Sequence, residues 1–367
     1  MTDAREMADT PPTIYDVARM AGVSIASVSR VLNGRRNPRE ETRERVLQAV
    51  AELGFVPDGA ARALSGRLKE VVGVVIRRVR WLQSSEGEFA EQDESLIFTD
   101  VINRGIELAA QRQGFNLLLS SVDVDDHDVS RRLLALARKS DGLILHDRVL
   151  DPDQLDQLSR RVPVVTLANV ATPATVNVHS DNHSGMRDLA QHLLTHHGYR
   201  TLAYVAGLGD SPDSVARGET IAAETARAGA TLLTGPHWQG NYYASGGARV
   251  IEQLMASGDA LPRAIACAND QTALGVMYAL AQHGIDVPGD VAVAGFDDIP
   301  MARHLRPQLT TVRQPIQEIG ATAFDVLHSM ISKGEKTAGD VVLPTRLIVR
   351  ASCGCPAQLT SPAWRVA

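Results

Sequence analysis

The sequence predicts an α/β protein: an N-terminal all-α head of the helix-turn-helix type with a short hinge helix, then a core of two subdomains built on doubly wound parallel sheets. Three observations carry this prediction. Residues 13–54 hold three short apolar stripes at helical spacing, each bounded by a capping residue or a glycine. From Val71 onward, short apolar runs alternate with amphipathic stretches, the pattern of parallel strands buried on both faces. That alternation occurs in two series, so the body divides into two halves.

With 367 residues, 44% hydrophobic and 22% charged, the chain has ordinary globular composition and length for two or three domains. Its net charge of −6 is unevenly spread. Residues 13–69 hold 10 Lys+Arg against 6 Asp+Glu, a net of +4, and the remainder holds 27 against 37, a net of −10. A basic head on an acidic body points to a polyanionic partner for the head alone. Three cysteines do not make a disulfide framework, which predicts a reduced, intracellular setting. Residues 1–12 read as a polar tail with no secretory signal, and no apolar run reaches the ~18 residues of a membrane span. The expectation is a cytoplasmic protein with no membrane partner.

The elements of the head follow in order. Thr13 with Asp16 fits a capping box, so a helix starts at Ile14, with Ile14, Val17, Ala18 and Ala21 on one apolar face and Gly22 ending it. Ser24 caps a second helix that turns Val28, Val31 and Leu32 inward and Ile25, Ala26, Ser27, Ser29 and Arg30 outward. Asn37 and Pro38 are expected to open a third helix, with Val46, Ala49, Val50 and Leu53 buried and Gly54 closing it. Helices this short need one another's core. The outward face of the second is small, polar and ends in arginine. Such a face lets a backbone approach a major groove, meets thymine methyls, and presents a guanidinium that can fork onto guanine.

The stretches TIYDVARMAGVSIASVSRVLNG and TRERVLQAVAELGFVPDGAARAL resemble the DNA-binding headpiece of the lactose-repressor (LacI/GalR) family. The resemblance implies that Ile25, Ala26 and Arg30 read base edges, that Thr13, Tyr15, Ser24 and Asn33 grip phosphates, and that Ser27 on the same face joins them. It also implies a hinge helix within residues 58–70, following the headpiece at 13–57. There Leu64 wedges between base steps in the minor groove with Arg62 beside it. Asp58 can cap this segment, which is too short to persist without DNA and a second hinge.

In the body, VVGVVI, NLLLSSV, DGLILH and PVVTLA read as buried parallel strands, and TLAYVAG, AIACAND and VAVAGFDD as a second series. Ligands of such sheets sit beyond the carboxyl ends of the strands. ANDQTALGVMYAL, VPGDVAVAGFDD and LTTVRQP extend the family resemblance over nearly the whole chain. It implies the fold of periplasmic sugar-binding proteins across 71–357, with 71–178 and 315–343 in one subdomain, 179–314 and 344–357 in the other, and 358–367 as a tail. Effector contacts then fall on His146, Tyr242, Asn269, Asp297 and Gln314, a set suited to a polyol: a carboxylate for vicinal hydroxyls, two amides, and a ring for a sugar face. Two positions depart from the family. Ala168 and Asn169 stand where an aspartate is usual, and in SVARGETI the ligand-contacting arginine is Glu219, which takes its place among the candidates.

Arg77, Arg78 and Arg80 precede a long acidic loop, read as a solvated loop whose acids pair with those arginines; a lid over the cleft is the alternative. GLGDSP lacks the third glycine of a dinucleotide fingerprint, and no G-x-S-x-G elbow is present, so neither a nicotinamide enzyme nor a hydrolase is expected. His192 and His196, and His179 and His183, are spaced four apart but lack a third ligand, and ASCGCPA offers an incomplete thiolate pair. No metal and no cofactor are expected. The reading is a repressor that binds a pseudo-palindromic operator as a homodimer and is released by a sugar-like effector. An effector acting as co-repressor, or a sugar-binding protein without DNA function, remains open at this point.

Overall fold

The computed structural model describes residues 12–32, 38–55, 68–78, 97–123, 128–146, 148–169, 172–334 and 338–356. Two compact units result, one ending at Glu70 and the other starting at Val71. In the first, α1 (Ile14–Ala21), α2 (Ile25–Leu32) and α3 (Glu40–Leu53) enclose Val17, Ala18, Ala21, Val28, Val46 and Ala49. Gly22 ends α1 at φ 63°, the left-handed region that a residue with Cβ occupies only at a cost. Ser24 Oγ accepts from the Ser27 amide at 3.2 Å, satisfying a free donor of the first turn of α2. The third helix opens at Glu40 rather than at Pro38. Arg39 keeps an extended ψ of 141°, and Glu40 and Glu41 occupy the first turn, where the helix dipole favours acids. Asn37 lies outside the described residues.

In the second unit the strands are β1 (Val71–Arg78), β2 (Asn116–Asp123), β3 (Gly142–His146), β4 (Val164–Leu167), β5 (Val176–Ser180), β6 (Thr201–Val205), β7 (Thr231–Leu233), β8 (Ala264–Cys267), β9 (Ala292–Asp297), β10 (Thr310–Arg313), β11 (Gly339–Leu343) and β12 (Arg346–Ile348). Between them run α4 (Ile97–Arg112), α5 (Val129–Ala137), α6 (Pro152–Ser159), α7 (Asn182–Gln191), α8 (Pro212–Arg227), α9 (Ala244–Ser257), α10 (Asp270–Gln282) and α11 (Ile316–Lys333). One six-stranded sheet has the order β11-β5-β4-β3-β1-β2 and is parallel throughout; the other has the order β12-β10-β9-β8-β6-β7, with β12 antiparallel. Every residue of β3 and β4 is buried, because helices cover both faces of the sheet. β2 departs from the expectation of a buried strand: it forms the sheet edge, and Leu118 and Leu119 are exposed.

The chain passes between the sheets three times, after Ser180, after Arg313 and after Leu343. These crossings are tied to one another. The Asp181 amide donates to Leu343 O at 2.8 Å, Thr345 Oγ1 donates to Asp181 O at 3.0 Å, and Ser180 Oγ donates to Gln314 Oε1. In the first half, α4 and α11 approach backbone to backbone through Gly105 and Gly320. A Cβ on either glycine would stand 2.1 Å from a carbonyl oxygen of the facing helix, so only glycine permits this approach.

Candidate functional site

In the head, α2 buries Val28 and leaves Ile25, Ala26 and Arg30 exposed, with Ser27 half-covered. Tyr15, 63% exposed, and Ser24 also reach solvent. Thr13 is exposed, but its amide and hydroxyl both donate to the Asp16 carboxylate, at 2.9 and 2.6 Å, so its hydroxyl hydrogen is engaged in the capping box. Arg30 Nε donates to Ala26 O at 3.2 Å, which steadies the side chain along the helix. Asn33, Arg62 and Leu64 lie outside the described residues, as do residues 79–96 of the acidic loop.

In the body, a cavity of about 170 Å³ opens between the two sheets at the carboxyl ends of their strands. His146, Tyr242, Asn269, Asp297 and Gln314 all line it. Glu219 does not. It is exposed, while Arg217 of the same helix faces the cleft, because two residues along an α-helix turn the side chain by about 200°. Arg217 is 2% exposed and held on three sides: Nε donates to Asn182 Oδ1 at 2.8 Å, Nη1 to Ala268 O at 2.7 Å, and Nη2 lies 3.4 Å from Asp213 Oδ2. Its guanidinium also lies 3.8 Å from the centre of the Phe296 ring. Asp213 and Arg217, four apart on a buried helix face, were the available signal for this pair.

Gln314 Nε2 donates to Asp297 Oδ1 at 2.5 Å. Burial pushes the Asp297 carboxyl up to about 7, against the opposing pull of Arg217 and the Gln314 hydrogen bond. Asp297 is also strained, at φ 125°. Asn269 caps α10, accepting from the Thr272 amide at 2.9 Å, and donates to Tyr242 O at 3.0 Å. Tyr242 OH and Ser211 Oγ stand 2.9 Å apart. His146 is buried, burial lowers its pKa to about 4, and its Nε2 has no hydrogen-bond partner among the described residues. A neutral imidazole with a free nitrogen in a cleft is a vacant polar contact. Apolar side chains from the first half, Phe98, Ile102 and Leu167 among them, complete the lining. Ala168 lines it too, with no side-chain polar group to offer.

An ion pair spans the cleft. Arg77 Nη2, at the end of β1, donates to Asp210 Oδ2 in the other half at 2.6 Å, and Arg148 Nη1 donates to Asp210 O at 3.2 Å. Against the upward push of burial, Arg77 holds the Asp210 carboxyl below its ordinary range. Arg77, expected to pair with the acidic loop, makes this bond between the halves, and the acids of that loop lie outside the described residues. Of the two histidine pairs spaced four apart, His183 and His196 are exposed and His179 and His192 are half-buried, and His183 Nδ1 meets Thr220 Oγ1 at 2.8 Å.

Known proteins share this layout. Residues 13–58 match the lacI family of bacterial regulatory proteins, and residues 190–353 match a periplasmic binding protein-like domain. The chain is 32% identical over 345 residues to catabolite control protein A of Priestia megaterium, covering 93% of this chain and 98% of that protein. The chain belongs to the lacI family. Among solved structures, this lacI-family chain is similar to the Lac repressor dimer bound to operator and the anti-inducer ONPF, with a TM-score of 0.79 and 26% identity over 94% of this chain and 99% of that one. It is also similar to the transcriptional regulator CelR in complex with cellobiose, with a TM-score of 0.64 and 29% identity, covering 93% and 99%. No helix of the described residues is long and apolar enough to cross a membrane.

Proposed function

We propose that this lacI-family protein represses transcription by binding an operator as a homodimer, and that a small polyol in the cleft releases it. The exposed face of α2 carries the DNA half of this reading. Ile25 and Ala26 are small or apolar enough to meet thymine methyls, and Arg30, which bonds Ala26 O through Nε, carries two terminal nitrogens suited to a guanine edge. Tyr15 and Ser24 supply donors for phosphates. Exposed Leu118 and Leu119 on the edge strand β2 offer apolar surface to a second copy.

The free Nε2 of His146 carries the effector half, supported by Asp297, Asn269 and Gln314 around the same cavity. The similar regulator CelR, solved in complex with cellobiose, favours a saccharide. Release follows from linkage: a ligand that shifts the closure of the halves acts on the three tied crossings, and opposes DNA through one coupling energy, typically 1–3 kcal/mol. The test is operator affinity by fluorescence anisotropy at fixed salt across a panel of sugars and sugar phosphates. Release by one compound supports the reading. Tightening by one reverses the sign of the linkage, and failure of every compound to bind the cleft overturns the polyol assignment.

A further inference from the structure

We propose that His192, His197, Cys353 and Cys355 form a tetrahedral site for a thiophilic divalent cation, zinc by its chemistry, which fastens the C-terminal segment to the end of α7. The four ligand atoms all lie within 4.8 Å of one another. His192 Nε2 and His197 Nε2 are 3.2 Å apart. Cys353 Sγ is 3.3 Å from His192 Nε2, and Cys355 Sγ is 3.4 Å from His197 Nε2 and 3.7 Å from His192 Nε2. With Zn–N near 2.0–2.1 Å and Zn–S near 2.3 Å, a tetrahedron has edges of about 3.3 Å between nitrogens and about 3.5 Å between nitrogen and sulfur. Four of the six donor pairs stand within about 0.2 Å of those edges, and the remaining two lie within 4.8 Å. Two imidazoles and two thiols are the donor set of closed zinc sites.

The surrounding structure explains how residues so far apart in sequence converge. In an α-helix His197 would sit about 140° round from His192. Instead α7 runs on into a π turn, His192–His196, and the His197 amide donates to His192 O, which brings the two rings to one side. The opposite wall is the turn after β12. Ser352 pins it: Ser352 Oγ accepts from the Thr310 amide at 2.8 Å and donates to Val293 O at 2.6 Å. Tyr199 joins both sides, its hydroxyl donating to Cys353 O at 2.9 Å and its ring stacking on His197 at 5.1 Å. Such a partner sets the orientation of ligands without touching the ion. His196, two residues beyond the buried Leu194, is exposed and is not one of the four ligand residues, although its ring stacks on that of His192 at 5.0 Å.

The site is tested on the full chain, reduced, stripped by chelator, and titrated with Co²⁺ and then Zn²⁺. The expected result is one Co²⁺ per chain with the visible absorption of a tetrahedral ion and a thiolate charge-transfer band, both bleached by Zn²⁺. Ligand protons are released as the metal binds. His196→Ala keeps the thiolate band, Cys355→Ser loses it, and Tyr199→Phe weakens affinity about 10- to 100-fold. The proposal is overturned if the folded parent protein, checked by circular dichroism, gives no tetrahedral thiolate spectrum. It is equally overturned if that spectrum survives Cys355→Ser combined with His197→Ala.

Discussion

Gln314 links the cleft to the crossings between the halves: its Nε2 donates to Asp297 Oδ1 at 2.5 Å while its Oε1 accepts from Ser180 Oγ. Gln314 and Ser180 stand where two of the three crossing segments leave their sheets, and Asp297 ends β9 in the cavity wall. A ligand hydroxyl that competes for Asp297 would therefore act on two of the segments that join the halves.

Gln314→Leu keeps approximate volume and removes both bonds. Effector affinity is expected to fall by the worth of a hydrogen bond, about 0.5–1.5 kcal/mol. The coupling to DNA should fall further, towards zero from the usual 1–3 kcal/mol. Operator affinity with and without effector measures both. Coupling unchanged from the parent protein would remove Gln314 from the linkage.

Asp297 makes the body sensitive to pH in a defined direction. Its folded-state pKa, about 7, lies above the ordinary 3.8, so the folded state holds the proton more tightly than the unfolded one. The stabilisation is complete below pH ~4 and is lost as pH rises through 7, with a slope of up to about 1.4 kcal/mol per pH unit. Thermal midpoints at pH 5 and pH 8 are expected to draw closer together in Asp297→Asn. A gap as large as in the parent protein would place the pH sensitivity elsewhere.

Arg30→Ala removes a guanidinium from the exposed face of α2. The loss of discrimination at one base pair should be about 1–3 kcal/mol, with ligand binding in the cleft unaltered. Competition between operators that differ at a single guanine provides the comparison, and equal preference in the two proteins would deny Arg30 its reading role.

Gly105→Ala puts a methyl carbon 2.1 Å from Gln317 O, and the facing backbone has no flexible end to swing aside. Overpacking of this kind costs about 1–3 kcal/mol. Calorimetry of the body transition should show a lowered midpoint; an unchanged one would mean that α4 and α11 separate freely.

Arg77 and Asp210 hold the two halves across the cleft at 2.6 Å. Asp210→Asn weakens that tie and favours opening, so effector should dissociate faster while the strands and their caps remain intact. Stopped-flow displacement measures the rate, and an unaltered rate would make the pair a surface contact without a gating role.

The head was legible because its determinants are local. Capping by Ser24, the turn at Gly22 and the phase of Val28 against Arg30 are set within a few residues, and each appears in the folded head. The strand ends that carry His146, Asn269 and Asp297 were legible for the same reason, since parallel sheets place their ligands at carboxyl ends. Reading Glu219 by its place in a motif rather than by helical phase led to the wrong side of α8, and Arg217 fills the cleft instead.

By itself, then, the sequence determined the fold class, the helical head with the exposed face of α2, and the strands whose ends line the cleft, because caps and hydrophobic period act over a few residues; the particular cleft residues came from the family resemblance. Only the tertiary structure decided which distant groups meet. Ser180 reaches Gln314 across 134 positions, Arg77 reaches Asp210 across 133, and Cys355 reaches His197 across 158. Such pairings depend on how sheets stack and where the chain crosses between them, and no local propensity encodes the distance between two side chains brought together by a shared core.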